Sequence, residues 1–580
     1  SAFPGTVLVG ADNPGGTGTL LVEGGARLTA RTGFDRGFEG EYVADAGLFV
    51  GRGDVGLGAM AVAGEGSALL VDGYAARINV GYGAGGGTDL DVAFRADPLS
   101  LVQGRLTIAD GATAGALHLE VGRGGGRGLV EIVGEGSELR LDASGGGFLD
   151  AAYAGEGGFA NIGRDAGARG YVAIADGGRL VLDTEDGVTD FPFLRMGREP
   201  GAYGYMLVSG AGSRLELNQR GATGDNYGYL GAVLQVGDAG DARLVAADGA
   251  EVALLGELPV VSVGRVTAEG GAGGRVEIRS GADLVLDSGA SLGAQMFVGE
   301  VAGAEGAVLV TGEGSSLTLR SDDVTTRSDV SGRLVVGNQG TGTLGVGDGA
   351  EVTVRQLDVG RLGLYDQDGA PTAEPGAEGR VEIGGGASAT VLSDAANPYS
   401  GTRLGGAETA SARAIADGAG SRLAVEGIGG EGGDGASRIE VGRYGTGVLT
   451  IRNGATTEGF FFEIGRGGPG GEGVGLVTVE GEGSTLRASD AFGTFRERTE
   501  DGGYGAETPS AGFVRVGREP GAVGGLYVVD SARTIVENDP EGDKLFPTLR
   551  LGQEPGARGF LTVEGAGSEL AIVQSAGSGS

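Results

Sequence analysis

The chain has 580 residues, of which 128 are Gly, 15 Pro and none Cys, with 40% hydrophobic content and a formal net charge of -35. The charge argues against nucleic acid and anionic lipid as partners, the missing cysteine excludes disulfides and thiolate chemistry, and no run of eighteen apolar residues offers direct membrane insertion. Because the hydrophobic content is periodic, the glycine load predicts a folded, turn-rich all-β protein and not a disordered one.

From Val7 onward the chain repeats one unit. An aliphatic residue followed by Gly recurs sixteen times, from Val9-Gly10, Val50-Gly51 and Val80-Gly81 through to Val516-Gly517 and Leu551-Gly552, at spacings of 23 to 52 residues. A fixed unit broken by variable inserts is the signature of a solenoid, in which each unit buries its apolar face only by stacking on its neighbours. In Gly274 to Leu286, Val276 and Ile278 alternate with polar residues as strand one, a turn occupies Ser280 to Ala282, and Leu284 and Leu286 alternate again as strand two. The unit from Ala307 reads the same way, with Val308 and Val310, a turn at Gly312 to Ser315, then Leu317 and Leu319. After a variable loop, strand three ends at the aliphatic-Gly pair, as Leu334 to Val336 does before Gly337. Period two marks strands with one buried face. Three strands per unit over about sixteen turns predict a right-handed parallel β-helix, a rod of about 75 to 80 Å with hydrogen bonds along its axis. Residues 1–573 are expected to form one continuous repeat region cut from a longer chain, since no polar cap closes either end, and 574–580 to be linker.

Sixteen tight turns match the sixteen pairs. Nine are short, such as Asp110-Gly111-Ala112 and Asp176-Gly177-Gly178; seven are Gly-x-Gly-Ser, ending at Ser67, Ser137, Ser213, Ser315, Ser421, Ser484 and Ser568. The two forms alternate along much of the chain. Glycine supplies positive φ there, and an Asp or Ser oxygen can cap a free backbone N–H, which makes the serines structural. A nucleophile would need a positioned base, and the lone histidine, His118 in Ala-Leu-His-Leu-Glu-Val, reads as an ordinary strand residue.

Specificity is expected in the loops between strand three and the next strand one, aligned along one edge. The long inserts are Arg31 to Ala46, Ala143 to Phe159, Asn218 to Gly231, Arg361 to Gly379, Arg487 to Gly512 and Glu537 to Pro547. Aromatic rings beside Asp and Arg suit sugar or protein recognition, which makes Phe34, Phe38, Tyr42, Tyr153, Tyr227, Tyr229, Phe492, Phe495 and Tyr504 the candidate binding residues. The alternative is that these rings only fold each loop onto the solenoid wall. Phe460-Phe461-Phe462, leading into Ile464-Gly465, reads as a strand covered on both faces. For metals, Asp366 and Asp368 offer the first two oxygens of a calcium loop, but the third acid and the distal Glu are missing. A solvated acidic turn is the expectation, with weak calcium binding left open and no cofactor implied.

Units built as aliphatic-Gly, Gly-Ala-x-Gly, Val-x-Val, Gly-x-Gly-Ser and Leu-x-Leu resemble the passenger repeats of bacterial type V secretion proteins, the autotransporters. The clearest are Met196-Gly197-Arg198-Glu199-Pro200-Gly201-Ala202-Tyr203-Gly204, its counterpart from Val516 to Gly524, and that from Leu551 to Gly559. The resemblance covers essentially the whole chain. It implies a right-handed β-helix on, or released from, a Gram-negative surface, extracellular, serving adhesion to a surface glycan or protein, or self-association. The translocator barrel and signal peptide of that family are not among these residues. Two other readings stay open: a passive spacer or matrix and sheath component, and a polysaccharide lyase or hydrolase. The latter would need carboxylates paired roughly 5 to 9.5 Å apart. No unit concentrates acids, so catalysis is not expected.

Overall fold

The computed structural model describes residues 6–10, 16–32, 47–53, 56–73, 76–83, 102–142, 157–184, 191–220, 231–265, 273–289, 293–321, 332–361, 377–394, 401–407, 409–428, 437–467, 473–493, 511–538 and 546–574. They form three parallel sheets of sixteen strands each, one sheet per strand of the unit, in a right-handed β-helix with three strands per turn, as the periodicity predicts. Sheets one, two and three are named here after the strands that build them.

One turn shows why the sequence folds this way. Strand three, His118–Arg123, is followed by strand one, Arg127–Val133, and strand two, Glu138–Leu141. Each contributes two inward aliphatics: Leu119 and Val121, Val130 and Ile132, Leu139 and Leu141, all fully buried. Register stacks them on equivalents above and below, Leu119 between Ile78 and Ala160 and Val130 between Leu106 and Val172. Burial of such a side chain is worth about 1.5–3 kcal/mol, and it is realised only when both neighbouring turns are present.

Two corners are tight for different reasons. After strand three, Gly163 has φ +68°, and a Cβ there would lie 2.2 Å from the carbonyl oxygen of Tyr203 in the next turn. The corner therefore needs glycine for both conformation and space. Between strands one and two, the buried Ser213 hydroxyl donates to the Ser209 carbonyl (2.6 Å) and accepts from the Gly177 N–H of the preceding short turn (3.0 Å). The same reach links Ser67 to Gly25, Ser137 to Gly111, Ser421 to Gly386, Ser484 to Gly454 and Ser568 to the Ser531 N–H. The serines are structural, as their turn position implies.

The third corner corrects an expectation. The inserts do not share the corner between strand three and the next strand one. Five of the six fall between strand two and strand three, as Asn218 to Gly231 does between Arg214–Asn218 and Val233–Val236. Only Arg361 to Gly379 follows strand three, between Gln356–Val359 and Glu378–Gly384. At the last three of these five inserts strand two ends in a polar residue, Asn218, Ser489 and Glu537, so the chain leaves the stack there beyond the last core residue.

The chain forms two compact units, Ser1–Ser291 and Leu292–Ser580. In the first, the inward column of sheet three runs through Leu48, Ile78, Leu119, Leu194 and Leu234, all fully buried. In the second it runs through Leu334, Leu357, Ile439, Phe462 and Val514. Phe460, Phe461 and Phe462 are 1%, 2% and 0% exposed, so that segment is covered on both faces. Among the described residues no helix is long and apolar enough to cross a membrane.

Candidate functional site

The outward face of sheet three departs most from a plain solenoid wall. Its strands are only three to six residues long, with at most two side chains of each pointing outward along the strand. In the first unit, from the third aliphatic-Gly pair onward, the residue immediately before the pair forms an in-register polar column, Asn79, Glu120, Asn161, Arg195, Gln235 and Ser262. Two residues earlier, His118, Phe159 and Phe193 form a parallel column. The residue after the glycine is Arg in nine of the sixteen units. The positive φ of that glycine turns the arginine back over the sheet.

Glu120 is 1% exposed and holds this face together. It accepts from Arg164 Nη1 (3.0 Å) and, on both oxygens, from Asn161 Nδ2 (3.2 Å). Further along, Arg195 Nε donates to Gln235 Oε1 (3.0 Å), and Arg195 and Arg265 each lie 3.3 Å from Asp238. Phe159 and Phe193 stack with centroids 5.4 Å apart, His118 is 5.6 Å from Phe159, and the Arg195 guanidinium lies 4.6 Å above Phe193. Together they line a groove of about 590 Å³, within the range of small-ligand sites. Five arginines, Arg77, Arg164, Arg195, Arg198 and Arg265, line it with one carboxylate, Glu120. Even with Asp165 and Asp238 beside them, cations exceed anions among the described residues here, although the chain holds 78 acids against 43 bases. Arg198 makes no ion pair among the described residues. Two lining residues, Asn161 and Gln235, each 1% exposed, carry buried polar atoms with no partner, Oδ1 and Nε2. Such atoms normally find one.

In the second unit the same columns are filled by ion pairs. Glu440, fully buried, meets Arg466 at 2.8 Å, Arg438 at 2.9 Å, Arg403 at 3.3 Å and Arg443 at 3.5 Å. Glu463, also fully buried, meets Arg518 at 2.9 Å and Arg466 at 3.6 Å. Burial alone pushes the Glu440 carboxyl up, but Arg443, Arg438, Arg466 and Arg403 together outweigh it and hold the group well below the usual carboxylate range. For Arg403, burial dominates and lowers the guanidinium below its ordinary value. Phe461 lies between the Arg438 and Arg515 guanidiniums, at 5.4 and 5.3 Å. Here the arginines pack around fully buried carboxylates, whereas in the first unit they line a groove.

No protein-family model matches the chain, and no curated protein is similar to it. Among solved structures the chain is similar to a TibC-catalysed, hyper-glycosylated TibA fragment spanning residues 55–350 of that protein. Sequence identity is 13%, the match covers 77% of this chain and 96% of that one, and the TM-score is 0.24. At that level the likeness says nothing about ligand or activity.

Of the candidate binding and metal residues named from the sequence, Phe492 alone is described. It ends a 3-10 turn, Asp490–Phe492, beneath the Arg487 guanidinium at 5.4 Å, and does not line the groove. Phe34, Phe38, Tyr42, Tyr153, Tyr227, Tyr229, Phe495 and Tyr504, with Asp366 and Asp368, lie outside the described residues. Among those described, no cluster of three or more His, Cys, Asp or Glu could hold a metal ion. Sequence reading looked to the inserts and missed the groove. The usable signal was a polar residue just before the aliphatic-Gly pair with Arg just after it, as in Asn161-Ile162-Gly163-Arg164.

Proposed function

We propose that the protein is a non-catalytic binding protein of the bacterial exterior, an adhesin or self-associating passenger, and that the outward face of sheet three in the first unit is its principal contact surface. The observation that carries this reading is the groove itself, with arginines and stacked rings around a 590 Å³ recess on a strongly acidic chain. Stacked rings give a flat apolar face, and forked guanidiniums give directional donors, the combination that orients a polar ligand. The extracellular setting is supported by the autotransporter-like repeat and by the lack of cysteine. Binding is favoured over hydrolysis because Glu120 is the sole carboxylate among the described residues lining the groove and both its oxygens are engaged, while glycoside hydrolysis needs two carboxyl groups facing one bond.

The test is binding of the purified protein to an array of glycans and matrix proteins, with and without calcium. A Phe193→Ala variant and a variant with the Arg487 to Gly512 insert shortened serve as comparisons. Loss with Phe193→Ala supports the groove; loss with the shortened insert only would return the contact surface to the loops. No binding in any condition would favour a spacer or sheath component.

A further inference from the structure

We infer that the groove of the first unit takes a linear acidic saccharide, a chain of sugar rings bearing carboxylate or sulfate groups among free hydroxyls. This rests on the binding-protein reading and adds the chemical class of the ligand. Three features of the groove select that class together.

The first is charge. Among the described residues cations outnumber anions along this face and Arg198 has no anionic partner, so an anionic ligand completes the balance there. Guanidinium forks match carboxylate and sulfate oxygens in a way that lysine would not, and the chain has a single lysine, Lys544.

The second is the presence of acceptors between the cations. The Glu120 carboxylate lines the groove, and Asn161 Oδ1 lacks a partner. A ligand that is anionic throughout, such as a phosphodiester backbone, has no donor for Asn161 Oδ1 and is repelled by Glu120. A sugar ring supplies hydroxyl donors beside its charge, so it can turn a hydroxyl to Asn161 Oδ1, keep its anionic groups off the already engaged Glu120, and meet an arginine at the next point. The third is shape. The lining runs from Arg77 to Arg265 over five strand spacings, roughly 24 Å, with Phe159 and Phe193 at its centre. That length suits an oligosaccharide laid along the axis, with a ring's apolar C–H face against the phenylalanines.

The experiment is calorimetric titration of the intact chain with four probes of matched length: a uronate oligosaccharide, the same oligosaccharide with its carboxyls reduced to alcohols, a sulfated oligosaccharide, and a single-stranded oligonucleotide. Binding of the uronate or the sulfated probe is expected, at least tenfold tighter than the reduced one and weakening as salt rises. Arg198→Glu, which breaks no ion pair among the described residues, is expected to weaken it at least tenfold. Arg413→Glu, the same charge change at an exposed position of sheet one, is expected to leave it unchanged. Unaltered circular dichroism in both variants confirms that the fold is intact. Equal affinity for the reduced probe, preference for the oligonucleotide, or equal loss in both variants overturns the inference. If the groove instead holds a neutral glycan or a protein from the array, the inference fails and the binding-protein reading survives; if nothing binds, both fail.

Discussion

At the scale of single residues, the repeat is held by atoms that have no alternative partner. Ser213 is 1% exposed and its Oγ accepts from the Gly177 N–H. Ser213→Ala strands that donor, at a cost of about 1–3 kcal/mol. Faster amide exchange at Gly177 is the expected readout, and unchanged exchange would show that the bond contributes nothing. Gly163 is under a harder constraint, since a Cβ meets the Tyr203 carbonyl oxygen at 2.2 Å while φ is +68°. Gly163→Ala is expected to destabilise by more than the roughly 0.4–1 kcal/mol that the exchange gains where the backbone accepts a side chain, read as lost protection in strands Phe159–Ile162 and Tyr203–Ser209. Both constraints are legible in the sequence, because turn chemistry is local: glycine and serine announce a backbone need at their own position. The partner of each is not, since Ser213 reaches 36 residues back.

At the scale of elements, sheet three carries the information that periodicity hides. Alternation in Arg438–Val441 says which residues face in, and Ile439 and Val441 do. It says nothing of what the outward Glu440 meets, because its partners come from three neighbouring turns through stacking order. The fold was therefore readable from spacing, and the groove was not. For Glu440→Gln, loss of the anion among four guanidiniums is expected to destabilise the second unit by about 3–5 kcal/mol. The pH dependence has a definite sign. Glu440 has its folded-state value depressed below the roughly 4.3 of a free glutamate, so its contribution is present above that range and disappears as pH falls through the depressed value. Thermal melts from pH 7 down to pH 2 should show a weaker acid dependence in Glu440→Gln than in the parent; identical slopes would remove Glu440 from the acid response.

At the scale of the whole molecule, a stack coupled through adjacent turns should lose stability locally. Gly163→Ala is expected to reduce exchange protection in its own and adjoining turns while leaving strands Val474–Glu480 and Val523–Val529 unaffected. A uniform drop along the chain would mean one cooperative unit instead. The net charge of -35 makes a complementary expectation, that duplex DNA produces no mobility shift at physiological salt, because the arginine-rich face is local and the surrounding field opposes a polyanion.

The serine reach between turns also sets a grammar for lengthening and shortening the chain. A long turn supplies the acceptor that the preceding short turn requires, so the natural module is a couplet of two turns, not one. Where two short turns follow each other, the donor uses a main-chain oxygen instead: Gly249 N–H to Ser280 O at 3.1 Å, and Gly349 N–H to Gly385 O at 3.0 Å. Two long turns never stand side by side in the sequence. Duplication or deletion should therefore pass most easily in pairs of turns, with those short-short junctions as the places where an odd number can be gained or lost.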